Sequence, residues 1–258
     1  MSLKKVNYNE VASTYNERYE AGSFEGIAST LKSLIQKSTA ERILEVGCGT
    51  CHWLAGLHGL ERQFYGLDIS PGMLKQANQG LKSAYLVCGN ANCLPFVDAY
   101  LDMIFCVNAI HHFDQKQEFI YQAKRALRSG GMLAIIGLDP HSGNDESYIY
   151  RYFDGTYEND LVRFPSVKTI KKWMNEAGFE QIKCGLAERI VKPLFGDEVL
   201  RSPFLQKHNS SQLILLSDED YEKGVSRIKN DLRKAESSGK TLKFEVDISI
   251  MLISGIAR

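Results

Sequence analysis

The residues best suited to chemistry lie in one short run, Glu45-Val46-Gly47-Cys48-Gly49-Thr50-Cys51-His52. Two glycines one residue apart, straight after an apolar run, let a backbone turn tightly and come close to a ligand. The helix expected next points its free N–H groups at that ligand. A dinucleotide-binding turn wants a small residue at the sixth position of the pattern counted from Gly47, and His52 stands there instead. Glu45 puts a carboxylate just ahead of the first glycine, where it would repel a pyrophosphate but suits a cationic head or hydroxyls. Asp68 ends the next apolar run, at a neighbouring strand tip. A carboxylate there can accept both hydroxyl protons of a ribose. Together these residues favour a ribose-bearing ligand other than NAD.

Other groups carry competing readings. Cys48-Gly49-Thr50-Cys51, with His52 beside it, is also a Cys-x-x-Cys pattern, which can serve redox or zinc chemistry. No second cysteine pair sits at metal spacing, and only the ligand-turn reading also explains the glycines, so no metal is expected. His111 and His112 follow an apolar run, near where a parallel sheet opens to its ligand. They are candidate general bases or substrate contacts, set against a simple structural turn. Asp139 and His141 sit at a comparable edge and carry less weight. Tyr148, Tyr150, Tyr152, Phe153 and Tyr157 either line an apolar substrate pocket or pack a loop down.

The elements that must position these groups alternate. Val11, Tyr15 and Tyr19, at spacing four, predict a helix over 8–22, and Ser23 can cap a second one that buries Ile27, Leu31, Leu34 and Ile35. Apolar runs over 42–46, 63–68, 84–88, 101–108 and 132–138 read as strands, with helices between them, such as the one that opens at Ser70-Pro71 and another over 115–127. Such alternation implies right-handed βαβ units and a parallel sheet covered on both faces. Residues 139–164 read as a loop or lid. Ser166 caps a helix through Ile170 and Met174, and 179–191 is a further strand. Residues 193–217 look irregular. Ser217 caps a helix with Tyr221, Val225, Ile228 and Leu232 on one stripe, and 241–257 is a closing strand with Phe244, Val246, Ile248 and Ile250 inward.

At this point the residues resemble a known family. Ile43-Leu44-Glu45-Val46-Gly47-Cys48-Gly49-Thr50 resembles the first motif of class I S-adenosylmethionine-dependent methyltransferases of the small-molecule type. Gly66-Leu67-Asp68-Ile69-Ser70-Pro71-Gly72-Met73-Leu74 resembles their second. Gly89-Asn90-Ala91, followed by Leu94-Pro95-Phe96, resembles their adenine-contacting segment. The run from Asp102 to Phe113 resembles their fourth-strand motif, and the run from Leu127 to Leu133 the turn before the fifth strand. The likeness covers roughly residues 40–140 and is weaker elsewhere.

The resemblance implies an α/β fold: a Rossmann-like, seven-stranded, mostly parallel sheet with helices on both faces and the last strand antiparallel. Helical or loop additions would form a lid. It implies one methyltransferase domain over 1–258, with an N-terminal helical lid over 1–39 and a cofactor-binding core over 40–140. Residues 141–165 and 193–240 would be substrate-side additions. The implied cofactor is S-adenosyl-L-methionine, held by Glu45, Gly47, Cys48, Gly49, Asp68, Ile69, Met73, Asn90, Ala91 and Asn108, with Tyr15 and Tyr19 lying over it. His111 or His112 would act as base if the acceptor needs one. The family usually has Gly where Cys51 stands and often Asp where Asn90 stands. Cys is small, and Asn keeps the acceptor oxygen that the adenine amino group needs.

Composition bounds the partners. In 258 residues, 31 Lys and Arg balance 31 Asp and Glu, so a nucleic-acid substrate is disfavoured and a small molecule expected. No apolar run is long enough to span a bilayer and the N-terminus does not read as a signal peptide, so no membrane insertion is expected. Six cysteines, several in apolar strands, suit free thiols in the cytoplasm, as a monomer or homodimer. Two rival functions stay open: an NAD-dependent oxidoreductase on a similar sheet, and a non-catalytic S-adenosylmethionine-binding module.

Overall fold

The computed structural model describes residues 6–12, 15–16, 19, 24–57, 59–81 and 84–258. Strands β1 (Arg42–Val46), β2 (Gln63–Asp68), β3 (Ala84–Cys88), β4 (Leu101–Val107) and β5 (Leu127–Leu138) run parallel in the order β3-β2-β1-β4-β5. The two-residue β6 (Glu146–Ser147) and the long β7 (Phe179–Val191) follow in the chain. β8 (Leu194–Phe195) and β9 (Lys243–Phe244) pair only with each other. The last strand, β10 (Val246–Ala257), runs antiparallel to β5, β7 and β6. The sheet has eight strands rather than seven, because β6 pairs with Val246 and Asp247.

Helices α1 (Tyr8–Val11), α2 (Glu25–Lys37), α3 (His52–Gly56) and α4 (Pro71–Gly80) come from the first third of the chain. Ile27, Leu31 and Ile35 of α2, with Trp53 and Leu54 of α3 and Ala77 of α4, fill one core with Ile43 and Phe105 of the sheet. Helices α5 (Lys116–Ala126) and α8 (Val167–Glu176) bury Phe119, Ile120, Ala123, Ile170 and Met174 in a second core with Leu44 and Ile104. Leu44 and Ile43 alternate between the two cores, as neighbours on a strand covered on both faces must. The capping serines behave as the sequence implies: Ser70, Ser166 and Ser217 accept from the amides of Met73, Thr169 and Asp220.

Several boundaries differ from the sequence reading. Ser23 and much of the predicted opening helix fall outside the described residues; the described part is α1. Residues 139–164 are not a loop. They contain β6 and two short helices, α6 (Tyr148–Tyr152) and α7 (Thr156–Arg163), separated by Gly155 in the left-handed region at φ +78°. These helices are too short for a visible helical period, and tertiary packing holds them. Ile149, Tyr152 and Phe153 join Val199 of α9 (Glu198–Arg201), Ile228 of α10 (Asp218–Ser237) and Phe244 in a third, small core. The two additions are thus one cap. The fifth strand begins at Leu127 rather than Met132, with a register break between Leu101 and Met103.

Asp102 is the one charged side chain inside β4 and is 6% exposed. It accepts from the Glu41 and Arg42 amides at 3.0 and 2.7 Å and from the Arg128 guanidinium. Burial pushes its carboxyl up, but the Arg42 amide, Arg128 and the Glu41 amide outweigh that and hold it below its usual value. A depressed acid adds stability above its unfolded value, about 3.9, and loses it as pH falls through the lower folded value. Asp102→Asn is expected to cost about 2 kcal/mol in urea unfolding at neutral pH. The difference from wild type should shrink as pH falls from about 5 towards about 3.

Candidate functional site

Strands β1, β2, β3 and β4 end side by side, and the strand order reverses between β1 and β4. Ligands in open α/β sheets bind at such a point, outside the carboxyl ends of the strands. A cavity opens there. It is lined by Tyr15, Tyr19, Glu45, Gly47, Cys48, Gly49, Asp68, Ile69, Met73, Asn90, Ala91 and Asn108, all the residues the sequence nominates for the cofactor. Tyr8, Phe24, Trp53, Phe113 and Asp114 also line it and were not nominated. Tyr8 lies three residues before Val11, so the Val11-Tyr15-Tyr19 stripe points to it. Phe24 and Trp53 carry no such signal.

Backbone conformation explains the residue types. Gly47 has φ +72°, and a Cβ built there would stand 2.4 Å from the Cβ of Ala109. The amides of Gly47 and Cys48 both donate to the Leu67 carbonyl, at 2.8 and 3.1 Å, which ties the turn to the tip of β2. Asn108, at φ +48°, is a residue type that tolerates the left-handed region. Cys51 is also left-handed, at φ +60°, a conformation in which glycine is the more usual residue.

Asp68 joins the two halves of the site. Its carboxylate accepts from the Gly49 amide and from the Ser70 amide, each at 2.8 Å. A carboxylate has about four acceptor positions, so Asp68 keeps capacity to accept from a ligand hydroxyl. Beside it, the apolar Ile69 side chain is 67% exposed, a flat face for a heterocycle. The Asn90 side-chain oxygen already accepts from the Asn92 amide at 2.9 Å and so also shapes its own turn.

Glu45 is 1% exposed. Among the described residues neither of its carboxylate oxygens has a hydrogen-bond partner, and the side-chain oxygen of Asn108 is in the same condition. Burial pushes the Glu45 carboxyl well above its ordinary value; Cys51 and Asp68 push it the same way, and the nearby Leu54 amide pulls weakly back. A buried acid with no partner is costly, and a cationic ligand head relieves that cost. S-adenosylmethionine, with its ammonium and sulfonium, fits this wall.

The opening segment is tied across the cavity. The Asn9 side-chain oxygen accepts from Ser70 Oγ at 2.8 Å and from the Gly72 amide at 2.9 Å. Thr50 Oγ1 donates to Asn16 at 2.5 Å, and the Tyr19 ring stacks on His52 at 3.6 Å.

A second cavity, about 420 Å³ against about 120 Å³ for the first, lies between the sheet and the cap. Tyr8, Phe24, Asn108 and His112 line both cavities. The two histidines therefore differ. His112 borders both chambers and shares a 2.6 Å hydrogen bond between its Nε2 and Tyr8 Oη. His111 lines only the larger one, is 7% exposed, and stacks on Phe164 at 3.9 Å. Tyr148 and Tyr150 line the larger cavity, Tyr152 and Phe153 fill the third core, and Tyr157 bonds the Pro140 carbonyl. Tyr148 belongs to both groups, since it also packs in the third core.

Asp139 and His141 border neither cavity. Asp139 accepts from the His141 and Val167 amides, and His141 Nε2 meets the Phe164 carbonyl at 2.9 Å. These contacts fix the cap's entry and exit. Cys48 and Cys51 are buried free thiols, and among the described residues no three His, Cys, Asp or Glu side chains converge as a metal site would need.

Sheet order and the glycine turn define an α/β domain with a cavity at its strand tips. Residues 44–135 match the family model of the methyltransferase domain. An O-methyltransferase of Aspergillus sclerotiorum, resE, is 28% identical over 175 residues, 62% of this chain and 62% of that protein. The malonyl-[acyl-carrier protein] O-methyltransferase of Herminiimonas arsenicoxydans is 28% identical over 188 residues, 72% of this chain and 69% of that protein. In fold, the chain is similar to a protein from an antibiotic biosynthesis pathway of Anabaena variabilis, with a TM-score of 0.72 at 21% identity over 92% of this chain and 99% of that one. Residues 44–135 thus form a methyltransferase domain on this sheet.

Proposed function

We propose that the chain moves the methyl group of S-adenosylmethionine to a small molecule held in the larger cavity. The observation that carries this reading is the wall of Tyr8, Phe24, Asn108 and His112 shared by the two cavities. A methyl group must cross from donor to acceptor over a few ångströms, so the two ligands must meet at such a wall. When bound, S-adenosylmethionine supplies an activated methyl on its sulfonium sulfur. Asp68 holds the ribose, Ile69 and Ala91 face the adenine, and Gly47 and Gly49 leave room for the amino-acid end. Glu45 and Asn108 meet its ammonium. The cap and the opening segment exclude water. His112 is the base where the acceptor carries a proton of high pKa.

Six free cysteines suit a reducing, cytoplasmic setting. No described helix is long and apolar enough to cross a membrane.

The test is a screen of metabolite extracts with radiolabelled methyl donor, with Asp68→Ala as the dead control. The wild type should yield a labelled product that the variant does not. Tight donor binding with no labelled product from any extract would instead make the chain a binding module.

Glu45 separates stability from binding. Glu45→Gln removes a buried carboxyl that has no partner, so the ligand-free protein should melt no lower than wild type. Its affinity for S-adenosylmethionine should fall roughly 10-fold, since a neutral amide attracts the ammonium less. Thermal melts with and without ligand read both effects.

A further inference from the structure

We propose that the larger cavity takes an apolar, ring-bearing hydroxyl compound, a phenol or enol of two or more fused rings, whose proton Tyr8 relays to His112. This rests on the methyltransferase reading above. The cavity's size and walls speak for the scaffold. Phe164 and Phe204 face it from the cap and Val246, Ile248 and Ile250 come from β10, while Asp145, Lys192, Glu198 and Arg201 stand elsewhere in its lining. Its volume of about 420 Å³ admits a fused-ring molecule.

The proton path speaks for the hydroxyl. Tyr8 is carried by α1 into the wall between the chambers, with its Oη 2.6 Å from His112 Nε2. When the phenolic O–H donates to Nε2 of a neutral imidazole, the Tyr8 oxygen has the lone-pair capacity to accept a proton from the acceptor. Methylation of a hydroxyl forms an O–CH₃ bond and breaks the CH₃–S bond, with the electron pair going to sulfur. The acceptor's proton passes to the Tyr8 oxygen as the Tyr8 proton passes to His112. An aryl thiol needs no such relay, since it ionises in water far more readily than a phenol.

The experiment compares 2-naphthol with 2-naphthalenethiol as acceptors at pH 8, in wild type and Tyr8→Phe, with calorimetry of S-adenosylmethionine on both proteins. Wild type should methylate both acceptors. Tyr8→Phe should lose roughly 10²-fold in kcat for the naphthol and so lower the naphthol-to-thiol ratio of kcat by roughly 30-fold or more. Equal losses for both acceptors would reduce Tyr8 to a packing role and overturn the relay, as would no loss for either. Donor binding in wild type with neither acceptor bound or methylated would overturn the ligand class and leave the methyltransferase reading standing. No donor binding in wild type would bring down that reading itself.

Discussion

Asp68→Ala is expected to weaken S-adenosylmethionine binding by roughly 10²- to 10³-fold, about 3–4 kcal/mol, without unfolding the protein. Two effects add. The ribose hydroxyls lose a charged acceptor, and such hydrogen bonds contribute about 1.5–3 kcal/mol each. The Gly49 amide also loses its 2.8 Å partner, so the glycine turn is no longer pinned to the tip of β2. Burial pushes the Asp68 carboxyl up, so removing it costs the ligand-free fold little in electrostatics. Titration calorimetry with S-adenosylhomocysteine measures the loss. A fall of less than about 5-fold would mean that the ribose is held elsewhere.

Gly47→Ala is expected to lower stability by roughly 2–5 kcal/mol and to abolish cofactor binding in whatever still folds. The position needs glycine twice over. Its φ of +72° costs an L side chain about 1–2 kcal/mol. Its added Cβ would also stand 2.4 Å from the Cβ of Ala109, an atom fixed to the backbone just after β4. Overpacking of this kind typically costs about 1–3 kcal/mol more. The double variant Gly47→Ala/Ala109→Gly relieves the clash but not the dihedral, so it should recover only part of the loss. Urea midpoints of the three proteins separate the two causes. Full recovery in the double variant would contradict the dihedral contribution.

The glycine turn and the strand tips around it were legible because backbone geometry dictates residue types there. Gly47 and Asn108 stand where φ is positive, and Glu45 and Asp68 stand at adjacent strand tips, so sequence order alone puts them together. The long strands and the helices capped by Ser70, Ser166 and Ser217 were legible for the same local reasons. The cap was not. Helices α6 and α7 have five and eight residues, too short to show a period or to stand without their tertiary partners. Their fusion with 193–240 around Phe153, Ile228 and Phe244 depends on contacts distant in the chain. The same limit hid the distinction between His111 and His112, which adjacent positions cannot express. One ring packs on Phe164 and the other faces Tyr8 across the chamber wall.

The most direct measurement is a crystal structure of the chain grown with S-adenosylhomocysteine. Density for the nucleoside should fill the cavity at the strand tips, with both ribose hydroxyls on Asp68, the adenine against Ile69 and the amino-acid end over Gly47 and Gly49. A nucleoside bound elsewhere, or that cavity closed by the protein's own side chains at saturating ligand, would contradict it.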